Sequence, residues 1–97
     1  MKWTVSIRAR AEADLAEAQQ WYNRQQPGLG ENFLDEIGRA VDILTHCPDL
    51  HPVYYRGFRR VLCRRFPYKI FYRIDDDQVI VFRVLHARRD HPQHLPG

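Results

Sequence analysis

The chain has 97 residues, 44% of them hydrophobic, with 15 Lys and Arg against 12 Asp and Glu for a formal charge of +3. That length allows a single domain over residues 1–97 with a core of its own, and the two cysteines, Cys47 and Cys63, have neither CxxC spacing nor a His/Cys set beside them, so they read as free buried thiols rather than metal ligands or staples. No apolar run approaches a membrane span and MKWTVSIRAR has no apolar signal segment, which excludes a spanning helix and predicts a cytoplasmic chain.

Lys2 to Ile7 alternates, with Trp3, Val5 and Ile7 on one face and Lys2, Thr4 and Ser6 on the other, as a half-buried strand does. From about Ala11 the period lengthens, and Ala11, Leu15, Ala18 and Tyr22 predict a helix that runs to Gln25 or Gln26. Pro27, Gly28 and Gly30 interrupt it, because proline lacks a backbone donor and glycine permits positive φ. A second helix is expected from near Glu31, with Phe33, Leu34, Ile37, Ala40, Val41 and Leu44 as its apolar stripe and Cys47-Pro48 as its end. So short a connection makes the two helices antiparallel. Glu12, Asp14, Glu17, Asp35 and Glu36 read as solvated helix faces, and Asp49 to Gly57 as an irregular loop with room for a short extended piece.

The stretch Phe58 to Asp90 reads as three consecutive strands. Tyr68 to Ile74 and Gln78 to His86 form a hairpin about the turn-forming Asp75, Asp76 and Asp77. With Asp76 and Asp77 as the loop, Ile74 faces Val79, Tyr72 faces Val81, Ile70 faces Arg83 and Tyr68 faces Leu85. The other face then carries Arg73 opposite Ile80, Phe71 opposite Phe82 and Lys69 opposite Val84, with His86 next along it, and the Phe71 and Phe82 pair is expected beneath the helices. A longer loop would shift the register and exchange the faces. Strand, helix, helix and three strands make an α+β domain in which an antiparallel helical hairpin covers one face of a three-stranded antiparallel sheet.

Charge is unevenly spread: Arg56, Arg59, Arg60, Arg64, Arg65, Lys69, Arg73, Arg83, Arg88 and Arg89 all fall in the second half. Such a half suits nucleic acid or an acidic protein partner, or simply a soluble sheet edge. Tyr54, Tyr55, Phe66, Tyr68 and Tyr72 alternate with these arginines and could stack on bases, although Phe66, Tyr68 and Tyr72 read better as core. His91 and His94 have no carboxylate or thiol at matching spacing, so no metal and no cofactor is expected.

Ala13-Asp14-Leu15, Trp21-Tyr22, Pro27-Gly28-Leu29-Gly30, Phe33-Leu34-Asp35-Glu36, Arg65-Phe66-Pro67-Tyr68-Lys69-Ile70-Phe71-Tyr72 and Val84-Leu85-His86-Ala87-Arg88-Arg89-Asp90 follow one another in an order that covers nearly the whole chain. In that order and spacing the chain resembles the RelE/ParE superfamily of small bacterial toxins from type II toxin–antitoxin modules, and its ParE branch more than its RelE branch. The resemblance implies a toxin held inactive in a hetero-oligomer by a cognate antitoxin encoded beside it. ParE-like members act on DNA gyrase, trapping it with broken DNA, and have no established catalytic residues. Under that reading Arg88, Arg89, Arg64 and Arg65 are the expected target-binding residues.

The RelE branch implies the alternative, a ribosome-dependent mRNA endonuclease in which the 2′-hydroxyl attacks its own phosphate, a step that needs proton transfer and positive charge. Its catalytic set would be His86, Lys69, Arg60 and Arg88, with His86 moving the proton because arginine cannot at neutral pH. Leu62 stands where that pattern has a second basic residue, and Asp90-His91-Pro92-Gln93-His94 replaces its late tyrosine; both departures favour the gyrase reading. His86 is then a packed strand-end histidine. A relic that binds antitoxin without poisoning anything is a third possibility.

Overall fold

The computed structural model describes residues 3–88 and 95. β1 is Thr4–Ile7, α1 Ala9–Gln25 and α2 Leu29–Leu44; a 3-10 turn at Pro48–Leu50 leads into β2, Val53–Tyr55, followed by β3, Phe58–Leu62, β4, Tyr68–Asp75, and β5, Gln78–His86. These strands form one sheet in the order β1-β5-β4-β3-β2, with β1 parallel to β5 and the other neighbours antiparallel. The architecture is the expected α+β one with a strand added, since the extended piece in the Asp49 to Gly57 loop pairs with β3.

The helices approach closely because of two glycines with different tasks. Gly28 takes φ 89°, the left-handed conformation that closes the turn. Gly30 lies inside α2 against α1, where a Cβ would stand 2.4 Å from the Gln19 carbonyl oxygen. Asn23 fixes this crossing: its Oδ1 accepts from the Gly28 and Gly30 N–H groups at 3.2 and 2.8 Å, and its Nδ2 donates to Glu31 at 2.9 Å. Hydrogen bonds from Asn23 first and Gln19 second hold the Glu31 carboxyl below its ordinary range.

Two apolar clusters lie on the two faces of the sheet. Beneath the helices Ala11, Ala18, Tyr22, Phe33, Ile37 and Leu44 bury Ile70, Tyr72, Val79, Val81 and Val84, with Trp3, Val5 and Ile7 of the first strand packed against them. Fully burying side chains of this size stabilises by about 1.5–3 kcal/mol each. Across the sheet Phe58, Phe71, Leu85 and Leu95 form a smaller cluster, flanked by Tyr54, Tyr55 and Phe82. Phe71 is thus core, but on the face away from the helices, which reverses its expected side.

The expected register holds only in part. Ile74↔Val79, Arg73↔Ile80 and Tyr72↔Val81 pair as the Asp76-Asp77 loop requires. A β-bulge then leaves Phe82 without an opposite residue, so that Phe71 pairs with Arg83, Ile70 with Val84, Lys69 with Leu85 and Tyr68 with His86. An unbroken ladder would have put Arg83 opposite Ile70 in the helix-side core, where an unpaired cation is costly; the bulge brings Val84 there instead.

Arg83 finds its partner at the edge of β5. β1 pairs with β5 only as far as Val81, and the Arg8 N–H bonds the Val81 carbonyl at 2.9 Å as the chain turns into α1. Beyond that point Asp14 on α1 takes over from the missing strand. It accepts from the Val84 N–H at 3.0 Å and from Arg83 through Nε at 2.8 Å and Nη2 at 3.0 Å. With side chains only 12% and 7% exposed, this pair is a buried staple, and Asp14 is not the solvated helix residue it was expected to be.

Candidate functional site

Three exposed basic residues, Arg64, Arg65 and Arg88, gather where the turn between β3 and β4 meets the end of β5. Phe66 anchors that turn, its buried ring 4.9 Å from Tyr22 and 5.5 Å from Phe33, and this leaves Arg64 and Arg65 exposed just before it. The Ala87 N–H donates to the Pro67 carbonyl at 2.7 Å, which ties the end of β5 to the turn and brings Arg88 to the same end of the sheet. Arg88 is exposed, and its backbone N–H donates to His86 Nδ1 at 3.1 Å. With Nδ1 accepting, the imidazole proton of neutral His86 sits on Nε2. Arg89, the fourth expected target-binding residue, lies outside the described residues, as do Asp90, His91 and His94.

The alternative catalytic set is divided by the sheet. Tyr68 and His86 pair on the helix side, the His86 ring meeting the Tyr68 ring edge-on at 5.4 Å. Lys69 pairs with Leu85 and Leu62, and Arg60 with Phe71, on the opposite side. There the Arg60 guanidinium lies 3.8 Å from the centre of the Tyr54 ring. The unbroken register would have set His86 and Lys69 on one face; the bulge at Phe82 separates them. Arg88, after the end of β5, stands beside His86.

Several of the other basic residues have structural work. Arg59 donates to the His51 and Asp49 carbonyls at 2.6 and 3.3 Å and, with the Tyr72 hydroxyl donating to the Pro48 carbonyl at 2.6 Å, fastens the 3-10 turn to the sheet. Arg73 donates to the Arg56 carbonyl at 3.0 Å and covers the Phe58 ring at 4.0 Å. Burial raises the Tyr72 phenol to about 12 and, with a smaller push from Glu36, the Cys63 thiol to about 11, so neither group ionises near neutrality.

A cleft of about 500 Å³ opens between α1 and the β4–β5 end, walled by Trp21, Tyr22, Pro67, Tyr68, Leu85 and His86, with Asp14, Glu17 and Arg24 along its α1 side. Trp21 is 49% exposed, an unusual position for the largest aromatic side chain. The sequence carries a signal for it that the periodic reading passes over: Trp21 stands three residues after Ala18 and seven after Asp14, at the edge of the apolar stripe. Burial first and Tyr68 second raise the Tyr22 phenol above its ordinary value. Among the described residues no three His, Cys, Asp or Glu side chains come together as a metal would require, and no helix is long and apolar enough to cross a membrane.

The sequence model of the family described as "ParE toxin of type II toxin-antitoxin system, parDE" matches residues 5–91. Among solved structures, a chromosomal ParDE toxin–antitoxin system from P. aeruginosa superposes with a TM-score of 0.81 at 18% identity, over 90% of this chain and 98% of that one. A RelBE2 toxin–antitoxin complex from Mycobacterium tuberculosis superposes with a TM-score of 0.61 at 25% identity, over 89% and 99%. No protein of curated function matches the sequence.

Proposed function

The chain belongs to the ParE toxin family of type II toxin–antitoxin systems, and from that premise we propose that it inhibits DNA gyrase in the cytoplasm and is held inactive by a cognate antitoxin in a hetero-oligomer. The observation that carries the choice of target is the division of His86 from Lys69 and Arg60 by the sheet. A ribonuclease must bring a proton-transfer group and phosphate-neutralising cations to one scissile bond. A gyrase poison needs no proton moved; it needs a surface that holds another enzyme in one of its own states. Arg64, Arg65 and Arg88, exposed at one end of the sheet, offer such a surface, with Arg89 next in sequence.

The test uses purified chain in two assays, one with gyrase and supercoiled plasmid and one with programmed ribosomes. The expected result is accumulation of gyrase-bound broken DNA with intact mRNA, relieved by stoichiometric antitoxin. Cleaved ribosomal mRNA with unaffected gyrase would replace this reading by the RelE-like one. Neither effect, with antitoxin binding retained, would mark a relic.

A further inference from the structure

We propose that the arginine end of the sheet, Arg64, Arg65 and Arg88, grips the phosphate backbone of duplex DNA, so that these residues hold the toxin to the DNA of the gyrase complex and not to a protein surface; the proposal deepens the gyrase reading above and rests on it. From Leu50 to Ile74 and from Gln78 to Arg88 the chain has no Asp or Glu, and among the described residues none of the three arginines forms an ion pair. Asp14, which reaches β5, is taken by Arg83, and Glu36, whose charge reaches Cys63, is paired with Arg39. Glu17 stands across the cleft on α1. The exposed Asp75, Asp76 and Asp77 sit at the far end of the β4–β5 hairpin, about 25 Å away at the rise of an eight-residue strand. Opposite charges at the two ends of one sheet turn the arginine end toward a polyanion.

The aromatic side chains of this end decide which polyanion it suits. A protein-binding patch centres on an anchor in a water-excluding pocket, with charge at its rim. Here the ring of the turn, Phe66, points inward against Tyr22 and Phe33, and the exposed apolar side chain at the end of β3 is Leu62, a residue type seldom found as an anchor. What the turn presents outward is guanidinium groups, planar forks whose N–H groups match the oxygens of a phosphate. A single strand would need open ring faces for its bases, and Tyr68 is packed edge-on with Tyr22, Phe33 and His86. The backbone of a duplex needs only the cations, and such contacts read charge and not sequence.

Fluorescence anisotropy of a labelled DNA duplex of mixed sequence, titrated with the full chain, tests the proposal. With three phosphates neutralised, affinity should fall with a log–log salt slope of about −2.7, on the order of fortyfold between about 50 and 200 mM salt. Arg88→Gln should reduce that slope by about one, and Arg64→Gln, Arg65→Gln and Arg88→Gln together should abolish saturable binding at an unchanged thermal midpoint. Arg39→Gln, which removes one charge from α2, should leave affinity and slope as they were. Should the triple variant fail to fold, Arg88→Gln set against Arg39→Gln decides the matter. No binding of the unmutated chain to duplex, binding confined to single strands, or equal binding by the triple variant would overturn the proposal, and the gyrase reading would stand if the unmutated chain still traps gyrase on broken DNA. Capture of the chain by gyrase without DNA, lost in the triple variant, would place the arginines on protein and overturn the proposal in the same way. Duplex binding by a chain that traps no gyrase would remove the gyrase reading, and the proposal with it.

Discussion

On the helix side of the sheet Ile70, Tyr72, Val79, Val81 and Val84 are buried under Ala18, Tyr22, Phe33 and Ile37, whereas on the other side Phe58 and Phe71 are buried just as fully under tyrosines and arginines. Arg73 lies 4.0 Å from the Phe58 ring centre and 5.6 Å from that of Phe82, and Arg8 covers Phe82 at 5.3 Å. The first face is sealed by another layer of secondary structure, the second by long side chains that lay apolar stems and flat cations over rings. A face closed by arginines keeps its charges near water and stays open to a partner. Part of the second half's positive charge is thereby explained as packing; of its exposed arginines among the described residues, Arg64, Arg65 and Arg88 share one end of the sheet, whereas Arg56 lies beside the Tyr55 ring at 5.4 Å.

The comparison breaks most visibly in the cores. Phe33→Ala should cost about 3–5 kcal/mol and unfold much of the protein at 37 °C, because Phe33 touches Tyr22, Phe66 and Tyr68 and its cavity is enclosed by both layers. Phe71→Ala, in the smaller cluster, should fall at the lower end of that range, since Tyr54 and the arginine stems can collapse into the space. Urea denaturation of both variants checks the order, and equal losses would mean that the arginine-covered face is as rigid as the helix-covered one. Asp14→Ala should cost about 3–5 kcal/mol as well, leaving Arg83 buried without its carboxylate and the Val84 N–H without an acceptor.

Alkali distinguishes the faces chemically. Cys63 and Tyr72 belong to the helix side, and burial lifts them from 9.0 to about 11 and from 10.0 to about 12. In the unfolded chain both lose their protons near the ordinary values, so the unfolded state binds fewer protons and stability falls as pH rises. The stabilisation is whole below pH 9 and is lost through pH 11 for Cys63 and pH 12 for Tyr72. The Cys63 share is on the order of 3 kcal/mol, at about 1.4 kcal/mol per pH unit. Thermal midpoints between pH 8 and 11 should therefore decline, and less steeply in Cys63→Ala. The smallest effect belongs to the open face: Arg60→Ala, which removes the contact with Tyr54, should cost about 0.5–1 kcal/mol by chemical denaturation.

The elements were legible because periodicity survives single exceptions: the stripe Phe33, Ile37, Leu44 and the alternation Trp3, Val5, Ile7 both end in the core where they were expected. The bulge was not, because one extra residue leaves a run such as Val79 to Leu85 equally apolar on either register. Its signal was Arg83, which an unbroken ladder would bury opposite Ile70. Asp14 had a similar signal. It stands three residues after Ala11 and four before Ala18, on the apolar stripe itself, and a carboxylate there must have a buried partner. β2 is only three residues long between Pro52 and Gly57, too short for alternation to show. For function the slip mattered most, since a one-residue shift moves every later side chain to the other face, and His86 with them.

His86 therefore carries the most direct test. In His86→Gln the fold and antitoxin affinity should stay near wild type, and toxicity in cells and gyrase-bound broken DNA in vitro should change by less than about threefold, against the 10²–10⁴ loss typical when a proton-transfer group is removed. Arg64→Ala combined with Arg88→Ala should weaken toxicity instead, and more so as added salt screens the charges that remain. A folded His86→Gln protein that has lost its toxicity and leaves ribosomal mRNA uncut, where the unmutated chain cuts it, would contradict the account.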